Sequence, residues 1–233
     1  MDDSRATGGN RRAPVVLAFD TAGSACSVAV GRGNRVLAHE RQEMRHGHAE
    51  ALLPMIARAT GMAGVGPAEI GLVAVSVGPG GFTGIRAGLA AAQGLALATG
   101  AELVGVTSFT AVAARLPAGH TPLLVALDSR RADFYAALFD AGLSPLGGPV
   151  AVMPDALAAW VTETLGNCAL RVAGDAADAA RVALGRDDIE VFEVIPDALG
   201  VLFAAARSES IVPARPLYLR EPDVSFPRRR EVG

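Results

Sequence analysis

Gly78-Pro79-Gly80-Gly81-Phe82-Thr83-Gly84-Ile85-Arg86-Ala87-Gly88-Leu89-Ala90-Ala91-Ala92-Gln93-Gly94-Leu95-Ala96-Leu97-Ala98 leads a glycine-dense bend into a helix that is charged or amide-bearing only at Arg86 and Gln93. The apolar run before it, residues 72–77, reads as a strand. Glycines at the bend free the backbone for positive φ and for close approach to another group. Thr83 is placed to cap the helix start, and Gly100 to stop it in the left-handed conformation. At about 100° per residue, Gly84, Ala87, Gly88, Ala91, Gly94 and Ala98 share an arc of roughly 120°, interrupted only by Leu95. Ile85, Leu89 and Leu97 lie opposite. One side is a track of small side chains and the other a bulky apolar anchor. A glycine inside a helix costs up to about 1 kcal/mol against alanine, so Gly88 and Gly94 ask for a close neighbour. If that neighbour is not the same chain, the track is a docking face for a partner subunit. Its residues are then Gly84, Arg86, Ala87, Gly88, Ala91, Gly94, Leu95 and Ala98.

Around this stretch lie 233 residues, enough for one large domain or two small ones. Apolar residues make up 51%, much of it alanine, so a sizeable core is available. The net charge of −3 gives no global attraction to nucleic acid or to an anionic membrane. No run approaches the ~20 apolar residues that span a bilayer, and residues 1–14 have no apolar core of a secretory signal. Residues 1–14 read as a disordered leader. Cys26 and Cys168 are too few for a disulfide scaffold and read as buried thiols of a cytoplasmic protein. Every basic residue is arginine. A Walker-type phosphate loop needs lysine after its last glycine, and here Gly84 is followed by Ile85 and Arg86, so that loop is excluded along with Schiff-base chemistry.

In chain order, residues 15–19 read as a buried strand ending in the turn Asp20-Thr21-Ala22-Gly23-Ser24. Strands follow at 26–30 and 35–41, so the chain opens with a meander. A helix is expected over 46–60, kinked or started late by Pro54, and a strand at 102–106 leads to a short helix capped by Ser108. Residues 122–127 then repeat the opening. Val125-Ala126-Leu127-Asp128-Ser129 echoes Leu17-Ala18-Phe19-Asp20-Thr21, and each is followed by a second apolar strand at matching distance. The duplication implies two related α/β lobes, 15–116 and 117–212, followed by a proline- and arginine-rich extended tail, 213–233. Strands at 150–152, 168–173 and 189–194 alternate with helices at 154–165, 175–184 and 198–207.

Chemistry could sit at the two strand-end aspartates. An aspartate there, followed by a hydroxyl residue, can hold a hydrated divalent cation beside phosphate. Asp20 with Thr21 and Asp128 with Ser129 have that form, and Gly78, Gly80 and Gly81 before a helix could offer N–H groups to an anion. The plainer account is that each aspartate caps its own turn. Arg130 and Arg131 also stand where a phosphate loop would want glycine. These positions read as vestigial phosphate loops. His46 and His48 are two apart, so on a helix they diverge rather than share a metal. No metal site and no serine–histidine or cysteine–histidine nucleophile is readable.

The residues 16–21 and 26–30, then His48-Ala49-Glu50-Ala51-Leu52-Leu53-Pro54, then the glycine bend with its helix, resemble the TsaB (YeaZ) family. Asp128-Ser129-Arg130-Arg131 with Phe134-Tyr135-Ala136 resembles that family's second-lobe hairpin, and Leu217-Tyr218-Leu219-Arg220 its C-terminal signature. The resemblance implies an actin/Hsp70-like (ASKHA) fold of two duplicated lobes with mixed sheets flanked by helices. It implies a non-catalytic subunit, a degenerate paralogue required with a TsaD-like partner for threonylcarbamoylation of adenosine 37 in tRNAs that read ANN codons. It further implies heterodimer docking through the helix of residues 85–98, self-association when the chain is alone, and a TsaE-like ATPase joining the pair. ATP or ADP belongs to the complex rather than to this chain, and tRNA is reached through the complex. The family often has lysine at the place of Gln93, and serine at the places of Ala49 and Gly81. The rival reading is an ATP-dependent transferase or kinase-like enzyme of the same fold. A peptidase is the weaker third.

Overall fold

The first apolar run becomes β1 (Val15–Asp20), central in a five-stranded sheet with the order β3-β2-β1-β4-β5. β2 (Ala25–Arg32) and β3 (Arg35–Glu43) return antiparallel, while β4 (Ile70–Gly78) and β5 (Glu102–Thr107) run parallel to β1. This is a computed structural model, and it describes residues 13–33, 35–44, 46–207 and 210–220. The parallel crossovers carry α1 (His48–Ala63) and α2 (Phe82–Thr99), and α3 (Ser108–Ala113) follows β5.

The second half repeats this plan strand for strand. β6 (Leu123–Asp128) is central, β7 (Phe134–Phe139) and β8 (Pro145–Val152) are antiparallel, and β9 (Arg171–Ala173) and β10 (Glu190–Phe192) are parallel. The order β10-β9-β6-β7-β8 is that of the first sheet. α4 (Pro154–Leu165), α5 (Ala177–Leu184) and α6 (Ala198–Ala205) occupy the places of α1, α2 and α3. The duplication seen in two aspartate-ended strands is therefore a duplication of whole sheets.

Alternation within β1 sorts its side chains. Val15, Leu17 and Phe19 face α1 and α2, where they meet Leu52, Met55, Ile85 and Leu89. Val16 and Ala18 face the other way, with Ala29 and Ala74, and that smoother face is covered by α6 from the far end of the chain. α3 lies between the sheets: Ala111 packs on that face of the first, while Phe109 and Val112, with Leu116 just beyond the helix, pack on Leu123, Val125 and Leu127 of the second. The two helices thus cross between the lobes and touch. A Cβ at Gly200 of α6 would lie 2.2 Å from the Ala111 carbonyl of α3. Arg115 clamps Asp197 with two bonds of 2.8 and 2.9 Å, and Asp197 caps α6 at the Gly200 N–H. The first sheet's last strand ends at Thr107 and the second sheet's first begins at Leu123, whereas α6 leaves the half of the sequence it belongs to.

Several local expectations shift. α1 starts at His48 rather than 46, because Gly47 takes a left-handed turn (φ 87°), and it runs through Pro54 to Ala63. α2 is capped by Gly81, whose carbonyl accepts the Ile85 N–H at 2.9 Å; Thr83 lies inside the first turn. α3 is capped by Thr107, which accepts the Thr110 N–H, while Ser108 donates to the Pro79 carbonyl. β8 begins at Pro145, five residues before its expected start at 150. Cys168 precedes β9 and is half-buried rather than a strand residue. Of the extended tail, residues 213–220 are described and lie along both lobes; the rest of it, with Arg228 to Arg230, and residues 1–12 of the leader fall outside the described residues.

Candidate functional site

The glycine bend is built against the turn that follows β1. The Gly81 N–H donates to the Ala22 carbonyl at 2.7 Å, and a Cβ at Gly80 would sit 2.3 Å from that same oxygen. Thr21 is buried and donates its hydroxyl to the Gly84 carbonyl at 2.8 Å. A Cβ at Gly84 would lie 2.0 Å from the Thr21 carbonyl, and one at Gly88 2.4 Å from the Thr21 hydroxyl. The close neighbour that Gly84 and Gly88 demand is therefore this chain's own Thr21. Both are buried and neither faces outward, which corrects their place on the docking face.

The outward face of α2 is turned by part of a revolution from the expected one. Arg86, Ala90, Gln93, Gly94, Leu97 and Ala98 are exposed; Ala87, Ala91 and Leu95 are half-buried. Ile85 and Leu89 anchor inward as expected, but Leu97, expected beside them, is 87% exposed. Around Gly94 there is open space. Ala90 and Leu97 are the docking candidates that the glycine track hid. Arg86 and Gln93 were the signal that could have found them, because two polar residues on an otherwise apolar helix mark its wet side, and both missed residues lie between or beside them. Arg86 itself is engaged: its guanidinium stands 3.7 Å above the Phe82 ring and donates through Nε to the Tyr218 hydroxyl at 3.1 Å.

Asp20, at the carboxyl end of β1, is buried and accepts the Ala22 N–H at 3.1 Å. Burial raises its pKa to about 6, an effect partly offset by Ser76 and that N–H. Its counterpart Asp128 is exposed, donates its own N–H to the Asp175 carboxylate at 2.9 Å and accepts the Arg130 N–H at 2.7 Å. Burial and the neighbouring Asp128 charge push the Asp175 carboxyl up, while Arg130 pulls it back. Arg130 takes a left-handed φ of 60°, the conformation a phosphate loop gives to glycine. It reaches the interlobe cleft, a cavity of about 120 Å³ lined also by Gly23, Ser24, Gly80, Asp128 and Asp175. Of the expected phosphate-loop residues, Gly80 and Asp128 line this cavity, Thr21 and Gly81 line a separate one of about 410 Å³ that Arg130 also reaches, and Asp20 is buried. Thr21, Gly80 and Gly81 spend their polar or close-approach capacity on the chain itself, and a guanidinium stands beside the two carboxylates. Gly78, at φ 101°, turns the chain into the bend and sits under Ile85.

His46 is exposed ahead of α1 and His48 opens the helix, half-buried, with burial lowering its pKa. Among the described residues no group of three or more His, Cys, Asp and Glu is arranged to hold a metal ion. Burial raises the Cys26 thiol to about 11, away from nucleophilic character. No helix among the described residues is long and apolar enough to cross a membrane.

Residues 36–165, more than half of the chain, match the TsaD family, tRNA N6-adenosine threonylcarbamoyltransferase. The chain is 38% identical over 124 residues to the tRNA threonylcarbamoyladenosine biosynthesis protein TsaB of Escherichia coli, a match spanning 52% of this chain and 53% of that one. It therefore spans about half the length of that relative. It is 35% identical over 210 residues to an uncharacterised protein of Mycobacterium tuberculosis, covering 89% of this chain and 92% of the other. Among solved structures, YeaZ from Pseudomonas aeruginosa superposes with a TM-score of 0.73 at 27% identity, over 88% of this chain and all of that one. At fold level alone, a ROK hexokinase of Thermus thermophilus aligns with a TM-score of 0.52 at 16% identity, over 82% and 97% of the two chains. The two-lobed actin-like architecture is shared with both solved structures.

Proposed function

The chain belongs to the TsaB/YeaZ family, and from that premise we propose that it is a non-catalytic subunit of the machinery that places threonylcarbamoyl on adenosine 37 of tRNAs reading ANN codons. Its partner is a TsaD-like transferase, docked on the outward face of α2. The observation that carries this reading is that face: an 18-residue helix presenting Ala90, Gly94, Leu97 and Ala98 to solvent, with Leu97 87% exposed. Small residues let a second helix approach closely, and a projecting leucine gives it something to bury. The cleft supports the non-catalytic part, since Thr21 and the glycines of the bend are engaged within the chain and Arg130 stands in place of a phosphate-loop glycine. A TsaE-like ATPase joins the pair, ATP or ADP is bound at the level of the complex, and tRNA is met there. Alone, the chain pairs with a second copy through the same face, and it works in the cytoplasm.

Co-purification with a TsaD-like protein, followed by a modification assay with and without this chain, tests the reading. Leu97→Asp keeps the fold, because the side chain already meets water, and lowers affinity for the partner by about 100-fold, the scale of an interface hot spot. Unchanged pairing and modification by that variant would remove α2 as the docking element. The second reading, an ATP-dependent transferase or kinase, is favoured by Asp128 and Asp175 facing the cleft. Calorimetry with ATP and Mg²⁺ on the purified chain separates the two, since tight binding with turnover supports only the enzyme. A peptidase would need an activated nucleophile, and the raised Cys26 thiol is the reverse of one.

A further inference from the structure

The tail from Val212 to Arg220 is attached along its length by contacts that no strand or helix explains. Val212 bridges Gly105 at the edge of the first sheet, and the Leu217 N–H donates to the Val77 carbonyl at the head of the glycine bend at 2.8 Å. Tyr218 lies against Phe82 with ring centres 5.0 Å apart and accepts from Arg86, so it holds the first turn of α2. Two residues on, Arg220 pairs with Asp133 of the second lobe, a carboxylate only 3% exposed. Asp133 also accepts the Ser129 hydroxyl at 2.7 Å, and that hydroxyl accepts the Arg131 N–H at 3.2 Å. Leu219, between the two attachments, packs into the core beneath β6 and β7. Beneath this segment lies a cavity of about 290 Å³ walled by Pro79, Gly80, Phe82, Ser129, Arg130 and Tyr135, residues of both lobes.

We propose that residues 212–220 are a strap that couples the first turn of α2 to the Asp128–Asp133 turn across the cleft, so that neither keeps its conformation when the other is released. Tyr218 and Arg220 are separated by a single residue, so the segment cannot lengthen between them. A buried carboxylate that loses its cation is left with an uncompensated charge, so Asp133 and the Ser129 turn it organises rearrange once Arg220 leaves. At the other end, Phe82 and Arg86 lose their aromatic and hydroxyl partner if Tyr218 lifts. The strap also walls one side of the 290 Å³ cavity, so its release widens access to Arg130 from that side. The proposal uses contacts within the chain alone and stands whether or not α2 docks a partner.

Amide hydrogen exchange on the full chain reads each end from the opposite one. Arg220→Ala is expected to speed exchange at residues 82–87 by about tenfold or more, and Tyr218→Ala to do the same at residues 129–134. Arg220→Lys, which keeps the charge, returns the 82–87 amides most of the way to the native rate. Arg215→Ala, whose side chain belongs to no strap attachment described above, changes neither region. If each variant speeds exchange only beside its own site, the segment is two independent contacts and the coupling is wrong. Should Arg220→Ala fail to fold, Tyr218→Ala read at residues 129–134 decides between the same two results.

Discussion

Gly84, Gly88 and Gly94 share one helix, yet the same substitution by alanine acts in opposite directions along it. Alanine at Gly84 drives a methyl into the Thr21 carbonyl, and at Gly88 into the Thr21 hydroxyl. Each is expected to destabilise by about 1–3 kcal/mol or more, because the struck atoms are backbone or a buried hydrogen-bonded hydroxyl. Alanine at Gly94 meets open space and removes the backbone freedom of the unfolded chain, so it stabilises by about 0.5–1 kcal/mol. Urea unfolding of the three variants measures the contrast, and equal midpoints would contradict it. Asp20 gives a second measurement at this scale. Its folded value of about 6 lies above the ordinary 3.8, so the folded state binds more protons between those values. The stability this group adds is fully present below about 3.8 and is lost as pH rises through 6, a change on the order of 3 kcal/mol for a fully buried carboxyl. Asp20→Asn flattens that interval, which unfolding at pH 4.5 and 7.5 reads directly. Of the site, the aspartates were legible in sequence because strand-end position and turn chemistry are local. The neighbour of Gly84 was not. A missing side chain signals close approach but carries no mark of which backbone approaches, and Thr21 is 63 residues away.

At the scale of elements, α3 and α6 decide how the lobes are held. Gly200 lets them cross at backbone distance from Ala111, and Arg115 with Asp197 fixes the crossing. Gly200→Ala is expected to separate the helices and cost about 1–3 kcal/mol. Arg115→Ala leaves Asp197 buried without its guanidinium and costs about 2–3 kcal/mol. Thermal unfolding of the two single variants and the double shows less than the sum of their effects, because both act on one contact. Additive losses would place the two interactions in separate units. The elements themselves were largely readable, since continuous apolar runs made the central strands and capped amphipathic runs made the helices. The placing of α6 on the first sheet was not, for periodicity says which face of a helix is apolar and nothing about which sheet will cover it.

For the whole molecule, the crossing of α6 makes the lobes interdependent. Without α6 the first sheet bares Val16, Ala18, Ala29, Ala74 and Val104. Residues 1–116 made alone are expected to stay incompletely packed, with poorly dispersed amide signals, whereas adding 117–233 in trans restores dispersion. A well-folded isolated fragment would show that each sheet closes by itself. The intact chain is expected to unfold in a single calorimetric transition in spite of its two cores. The duplication was visible in the sequence because both copies kept the strand, aspartate and hydroxyl pattern, while the strand order of each sheet, set by long-range pairing, was not.

The crossing of α6 onto the first sheet also has a meaning in time. During synthesis the first sheet is complete once β5 has emerged at Thr107, yet the helix that seals its Val16 and Ala18 face ends at Ala205. At about 5–20 residues per second, that face waits on the order of 5–20 s for its cover. For that interval the nascent chain displays an apolar sheet surface, so its yield in the cell depends on elongation speed and on chaperone supply as well as on final stability.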